Sequence, residues 1–183
     1  FSLMPHVVIS MPYDLKEAKA LFDYAFMRQK HPMVIRYPRG SVIPLNGDEI
    51  QEIHEISWKK MKVGNKIAII SYGQSLDRLL SVCENMKLDA SVINARFIKP
   101  LDENMLKDVL ENHPYIFVYE EIANTGGLYP MILTFAHQHG YHNEFMEMSM
   151  KDLIIHHGNY KEILSKINMD ELAIEKKIKD FLS

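Results

Sequence analysis

The run Ile67-Ala68-Ile69-Ile70 has no polar position, and it constrains the chain more than any other feature. Side chains alternate across a strand, so a strand apolar throughout must be covered on both faces. Ser91-Val92-Ile93 and Tyr115–Tyr119 repeat the pattern. Between them lie segments of helical spacing: first Leu76, Leu79, Leu80, Cys83 and Met86, then Met105, Leu106, Val109 and Leu110. This alternation predicts an α/β fold, a mainly parallel sheet with helices on both faces. Ser75 is placed to cap the first helix and Asp102 the second. Gly126-Gly127 opens a third helix through Met131, Ile132 and Phe135. Glu144–Met148 reads as a fourth strand and Leu153–Ile155 as a short apolar segment. Tyr160–Ile167 and Asp170–Leu182 read as closing helices.

A smaller piece precedes this unit. Val7-Val8-Ile9 reads as a strand, and Asp14 caps a helix with Glu17 in the capping-box position. Leu15, Ala18, Leu21, Phe22, Ala25 and Phe26 form that helix's expected inner face, and Met33–Ile35 returns as a strand. Strand, helix, strand implies a parallel pair with a crossover. Such a pair cannot bury a core alone, so it is expected to end a larger domain or to pack on the longer α/β unit. Residues 41–62 are polar and turn-rich, with Trp58 placed to dock them as a linker.

The chain has 183 residues, 21 Lys and Arg against 24 Asp and Glu, and a net charge of −3. That balance gives no electrostatic reason to expect nucleic acid or an anionic membrane as partner. Its single cysteine, Cys83, rules out an internal disulfide, as suits a reducing cytosol, and its apolar setting predicts inert core. The start at Phe1 reads as the middle of a longer polypeptide.

Candidate chemistry gathers at strand ends. Arg36-Tyr37-Pro38-Arg39-Gly40 closes the second strand, with Pro38 stopping the ladder and Gly40 freeing the turn. Ligands of α/β folds bind beyond the carboxyl ends of strands, and an arginine fork matches carboxylate or phosphate. Arg39 therefore suggests an anion clamp and Arg96 its second ligand, although salt bridges account for both on the residues alone. Gly73-Gln74-Ser75 lacks the spacing of a phosphate loop and reads as an ordinary turn. Glu120 and Glu121 adjoin on a strand, so they face opposite sides and do not share one acid–base site. His137, His139 and His142 read as solvated histidines at a helix end rather than a zinc site. His156 and His157 read as turn or interface groups. No nucleophile–base–orienter set can be assembled.

Taken together, RYPRG (Arg36–Gly40), ARFIKPLD (Ala95–Asp102), Glu120-Glu121 with Gly126-Gly127, and His157-Gly158 resemble one family. It is 1-deoxy-D-xylulose-5-phosphate synthase, of the thiamine-diphosphate-dependent transketolase superfamily, in its C-terminal third. The resemblance covers essentially the whole chain. It implies that residues 1–40 are the tail of the pyrimidine-binding domain, 41–62 a linker, and 63–183 the transketolase C-terminal domain. It implies an enzyme that condenses pyruvate with glyceraldehyde 3-phosphate, releases CO2, and feeds isoprenoid and thiamine synthesis. Arg39 and Arg96 match the arginines associated with the substrate phosphate; Arg36 matches without a site role. Thiamine diphosphate and Mg²⁺ are implied for the full-length, cytoplasmic homodimer, and none is expected on this chain. The family's diphosphate and metal motif, GDG…N, has no match here; the nearest string is Gly47-Asp48-Glu49. The activating glutamate lies upstream in the family layout, so no catalytic or metal residue is expected here and the isolated chain is expected to be inactive. Tyr129 stands where the family has a further glycine. The competing readings are a non-catalytic module that assembles with, or regulates, a separate subunit carrying the cofactor, and a split transketolase or 2-oxoacid dehydrogenase beta subunit.

Overall fold

A computed structural model describes residues 1–37, 52–123, 126–150 and 157–183. The first piece contains β1 (Val8–Ser10), α1 (Leu15–Met27) and β2 (Met33–Ile35). The second begins at β3 (Lys59–Lys62) and continues through β4 (Ile67–Ser71), α2 (Ser75–Asn85), β5 (Ala90–Asn94) and β6 (Phe97–Lys99). After these come α3 (Glu103–Asn112), β7 (Tyr115–Ala123), α4 (Leu128–Gln138), β8 (Glu144–Met150), α5 (Tyr160–Lys166) and α6 (Glu171–Leu182).

The larger sheet has the order β3-β5-β4-β7-β8. Its pairs are parallel except β3 with β5, which run antiparallel. Alternate residues enter two separate cores. Ala68, Ile70, Ile93, Ile116 and Val118 pack with α3 and α4 on one face. Ile67, Ile69, Val92, Phe117 and Tyr119 pack with α2, α5 and α6 on the other. Each fully buried isoleucine or leucine contributes about 1.5–3 kcal/mol, so a sheet covered twice gains from both faces of every strand.

The two pieces share a second sheet. β1 pairs in parallel with β2 and antiparallel with β6, giving the order β2-β1-β6. Leu21 and Tyr24 of α1 enter the same core as β4 and β7, and Tyr24 meets Phe97 edge-on. The stretch expected to be linker ends as structure. Trp58 is buried, its indole N–H donates to the Phe97 carbonyl at 2.7 Å, and its backbone N–H donates to Asp102 at 2.8 Å.

Three local expectations need correction. Ser75 is not a cap: it is the first helical residue, and its hydroxyl donates back to the Tyr72 carbonyl at 2.8 Å. The inner face of α1 is turned from the expected one, with Ala20, Leu21 and Tyr24 buried and Phe26 83% exposed. Lys59–Lys62 and Phe97–Lys99 are strands although neither was legible as one. Asp14 and Asp102 do cap their helices, accepting from the N–H groups of Glu17 and Met105 at 2.7 and 2.9 Å. Leu153–Ile155 lies outside the described residues.

Candidate functional site

β4, β5 and β7 run in parallel, so their carboxyl ends open on one edge of the sheet. Tyr72 and Arg96 stand just beyond those ends, and Glu120 and Glu121 lie near the end of β7. The first piece packs against the same edge. The backbone N–H of Met11 donates to the Arg96 carbonyl at 2.9 Å, and the Tyr13 hydroxyl donates to Asp77. Gly73 turns there with φ of +66°, and a Cβ on it would meet the Met11 side chain at 2.6 Å.

Arg96 is the best defined of the expected site residues. Its Nε donates to the Ser57 carbonyl and one Nη to the Ser57 hydroxyl, each at 2.7 Å. The other Nη lies 3.4 Å from a Glu17 oxygen. The Glu17 carboxylate is fixed in turn. It accepts from the Tyr13 N–H at 2.7 Å and from the Asn94 amide, which lies 3.0 Å from both of its oxygens. The Glu17 and Arg96 side chains are 9% and 12% exposed. They line a cavity of about 310 Å³ together with Lys16, Lys59 and Asn94. Lysines there add positive charge beside the guanidinium, and Asp14 adds negative charge. Within this cavity Asn94 Oδ1 is buried with no hydrogen-bond partner among the described residues.

Arg39 lies outside the described residues. Arg36 begins where β2 stops, its N–H donating to the Ser10 carbonyl at 2.8 Å and its guanidinium sitting over the Tyr72 ring at 5.8 Å. Tyr72 donates to Glu120 at 2.9 Å. Burial and the Glu120 charge push the Tyr72 hydroxyl above the ordinary tyrosine range despite Arg36.

Glu120 and Glu121 face opposite sides, as adjacent strand residues must. Glu120 is 1% exposed and accepts from the N–H groups of Leu128 and Tyr129 at 2.7 and 3.0 Å. It therefore occupies the N-terminus of α4, where a phosphate would otherwise find free N–H groups. Gly127 lets the carboxylate approach: a Cβ on it would come within 2.6 Å of a Glu120 oxygen. Glu121 turns to Arg78 at 2.8 Å, and Tyr160 donates to it at 2.6 Å. Burial of Arg78 opposes its charge, but the bonds to Glu121 and Tyr160 outweigh it and hold the guanidinium protonated.

The other residues singled out in the sequence have these surroundings. His139 stacks on Phe135 at 4.1 Å and contacts its carbonyl at 2.9 Å. Among the described residues no group of three or more His, Cys, Asp or Glu side chains could hold a metal ion. His157 is exposed, and His156 lies outside the described residues. Cys83 is buried, and burial pushes its thiol up to about 11. Glu17 and Ser57 are the site residues that the sequence alone missed. Glu17 was legible only as a helix cap, and it meets Arg96 across 79 residues of chain.

Comparison with known proteins now decides the family. Residues 57–174 match the family model described as transketolase, C-terminal domain. The chain belongs to the transketolase C-terminal domain family. It is 34% identical over 184 residues to 1-deoxy-D-xylulose-5-phosphate synthase of Geobacillus sp. (strain WCH70), and 35% identical over 172 residues to that of Lysinibacillus sphaericus (strain C3-41). The first comparison covers 98% of this chain and 29% of the relative, the second 91% and 27%. The chain thus spans less than a third of those relatives' length. The transketolase fold is also that of a solved structure described as a split gene transketolase, inactive beta4 tetramer. There the TM-score is 0.86 at 17% identity, over 99% of this chain and 59% of the other. A Pichia stipitis transketolase mutant superposes with a TM-score of 0.68 at 17% identity, over 98% of this chain and 25% of the other. Arg96, Glu120 and Glu121 fall within the matched domain, and Glu17 and Arg36 precede it.

Proposed function

We propose that this chain supplies the phosphate ligands of a thiamine-diphosphate-dependent transferase. That enzyme condenses pyruvate with glyceraldehyde 3-phosphate, giving 1-deoxy-D-xylulose 5-phosphate and CO2. Residues 1–40 then end its pyrimidine-binding domain, 41–62 link, and 63–183 form its transketolase C-terminal domain. The carrying observation is Arg96: a guanidinium at the carboxyl end of a central strand, on a cavity flanked by Lys16 and Lys59. The likeness to synthases at 34% identity over nearly the whole chain supports the substrate class.

The residues' part in the reaction is electrostatic. A phosphate monoester carries close to two negative charges at neutral pH, and two arginine forks, Arg39 and Arg96, would hold it by charge-assisted bonds. Holding the phosphate orients the aldehyde and brings no bond change at the arginines themselves. Glu120 fills the N-terminus of α4, so that end offers no free N–H pair to a diphosphate, which supports placing the cofactor elsewhere. In this reading thiamine diphosphate and Mg²⁺ bind to the remainder of a cytoplasmic homodimer and supply the carbanion chemistry there.

Steady-state kinetics of the whole enzyme test the proposal. Arg39→Ala is expected to raise KM for the phosphorylated aldehyde by about 10- to 150-fold, with KM for pyruvate unchanged. Lysine at that position should rescue only part, since it brings charge without the fork. An unchanged KM for the aldehyde would remove Arg39 from the site. The isolated 183-residue chain should be inactive in the same assay, and turnover by it would place catalytic groups on this chain.

A further inference from the structure

We propose that Glu17 and Ser57 are positioning residues that aim Arg96 at the substrate phosphate. This rests on the phosphate reading of Arg96 and deepens it. A guanidinium has five N–H bonds, one on Nε and two on each terminal nitrogen. Ser57 takes the Nε hydrogen and one hydrogen of a terminal nitrogen, at 2.7 Å each. Glu17 faces the other terminal nitrogen at 3.4 Å. Among the described residues this leaves one N–H on each terminal nitrogen, the pair that two phosphate oxygens would accept.

Glu17 is suited to fix a direction because it cannot easily move. Its carboxylate is tied to the Tyr13 N–H at 2.7 Å and to the Asn94 amide at 3.0 Å. Its own N–H is tied to Asp14 at 2.7 Å. Those anchors belong to the start of α1 and the end of β5, on the two pieces of the chain. Glu17 therefore ties the guanidinium of Arg96, on the second piece, to the start of α1 on the first. A carboxylate beside a guanidinium also lowers the local positive potential, which weakens attraction of an anion. Position and charge therefore predict opposite signs when Glu17 is neutralised.

That opposition makes the test. Both arginines lie on this chain, so the 183-residue chain can be titrated with glycerol 3-phosphate. Arginine side-chain N–H resonances and melting temperature are followed together. Wild type is expected to show saturable shifts at Arg96 that Arg96→Lys abolishes. Glu17→Gln should weaken binding by roughly tenfold despite the lost negative charge, and Ser57→Ala by about threefold. Ser57→Ala removes one hydroxyl, which accepts from Arg96 and donates to the carbonyl of exposed Glu55 at 3.3 Å; it should leave the melting temperature nearly unchanged, so it carries the test if Glu17→Gln does not fold. Unchanged or tighter binding in folded Glu17→Gln, or unchanged binding in Ser57→Ala, overturns the positioning role of that residue alone. No response at Arg96 in wild type overturns the phosphate site itself, and the positioning role with it.

Discussion

At Glu120 a carboxylate does for a helix what a bound anion does elsewhere. Its two oxygens take the N–H groups of Leu128 and Tyr129, and Tyr72 completes the set. The neighbouring Gly127 has φ of −82°, so a side chain is excluded there by space and not by backbone strain. Gly127→Ala forces a Cβ against a carboxylate held by three hydrogen bonds. Its expected cost is about 1–3 kcal/mol, read as a lower urea midpoint with an unchanged slope. A midpoint equal to wild type would mean that the carboxylate yields. The pairing of Glu120-Glu121 with Gly126-Gly127 was visible in the sequence, and so was the division of the two acids between opposite sides. What each acid meets was not, because Tyr72, Arg78 and Tyr160 are brought in by other elements.

Elements that depend on short-range signals were the legible ones. Asp14 and Asp102 cap within three residues, and Ile67–Ile70 needs both faces buried wherever it sits. β3 and β6 were hidden for the converse reason. Lys59–Lys62 is lysine at every position but Met61, and Phe97–Lys99 has three residues. Each becomes a strand because a distant strand, β5 or β1, offers its edge. The inner face of α1 was misjudged because helical spacing shows which residues are apolar and not how many sides are covered. Arg96 was legible as a strand-end arginine, whereas its partner Glu17 was already accounted for as a cap. The role of β3 gives a prediction at this scale. A polypeptide of residues 57–183 keeps β3 and both Trp58 bonds, whereas one of residues 64–183 loses them and bares the edge of β5. The longer is expected to protect the β5 amides from hydrogen exchange and the shorter to lose that protection and aggregate. Equal protection in both would make β3 an ornament of the fold.

Across the whole molecule, the two pieces are closed together by the pairing of β1 with β6. The same seam carries the Tyr13–Asp77 bond, the Glu17–Arg96 pair and the ammonium of Lys99 on the carbonyls of Ser2 and Met4. Lys99 and Ser2 are 97 residues apart. Ribosomes add about 5–20 residues each second, so β1 is synthesised roughly 5–20 seconds before its partner strand. Through that interval a nascent β1 lacks β6 on one edge and leaves backbone N–H and C=O groups unpaired there, an invitation to chaperones and to the same strand on a neighbouring ribosome. Stalled translation intermediates should show it. Limited proteolysis is expected to cut between β1 and α1 in chains halted before β6 emerges, and to spare that site once β6 is out. Protection of the early intermediates would mean that the newborn chain finds shelter for β1 elsewhere.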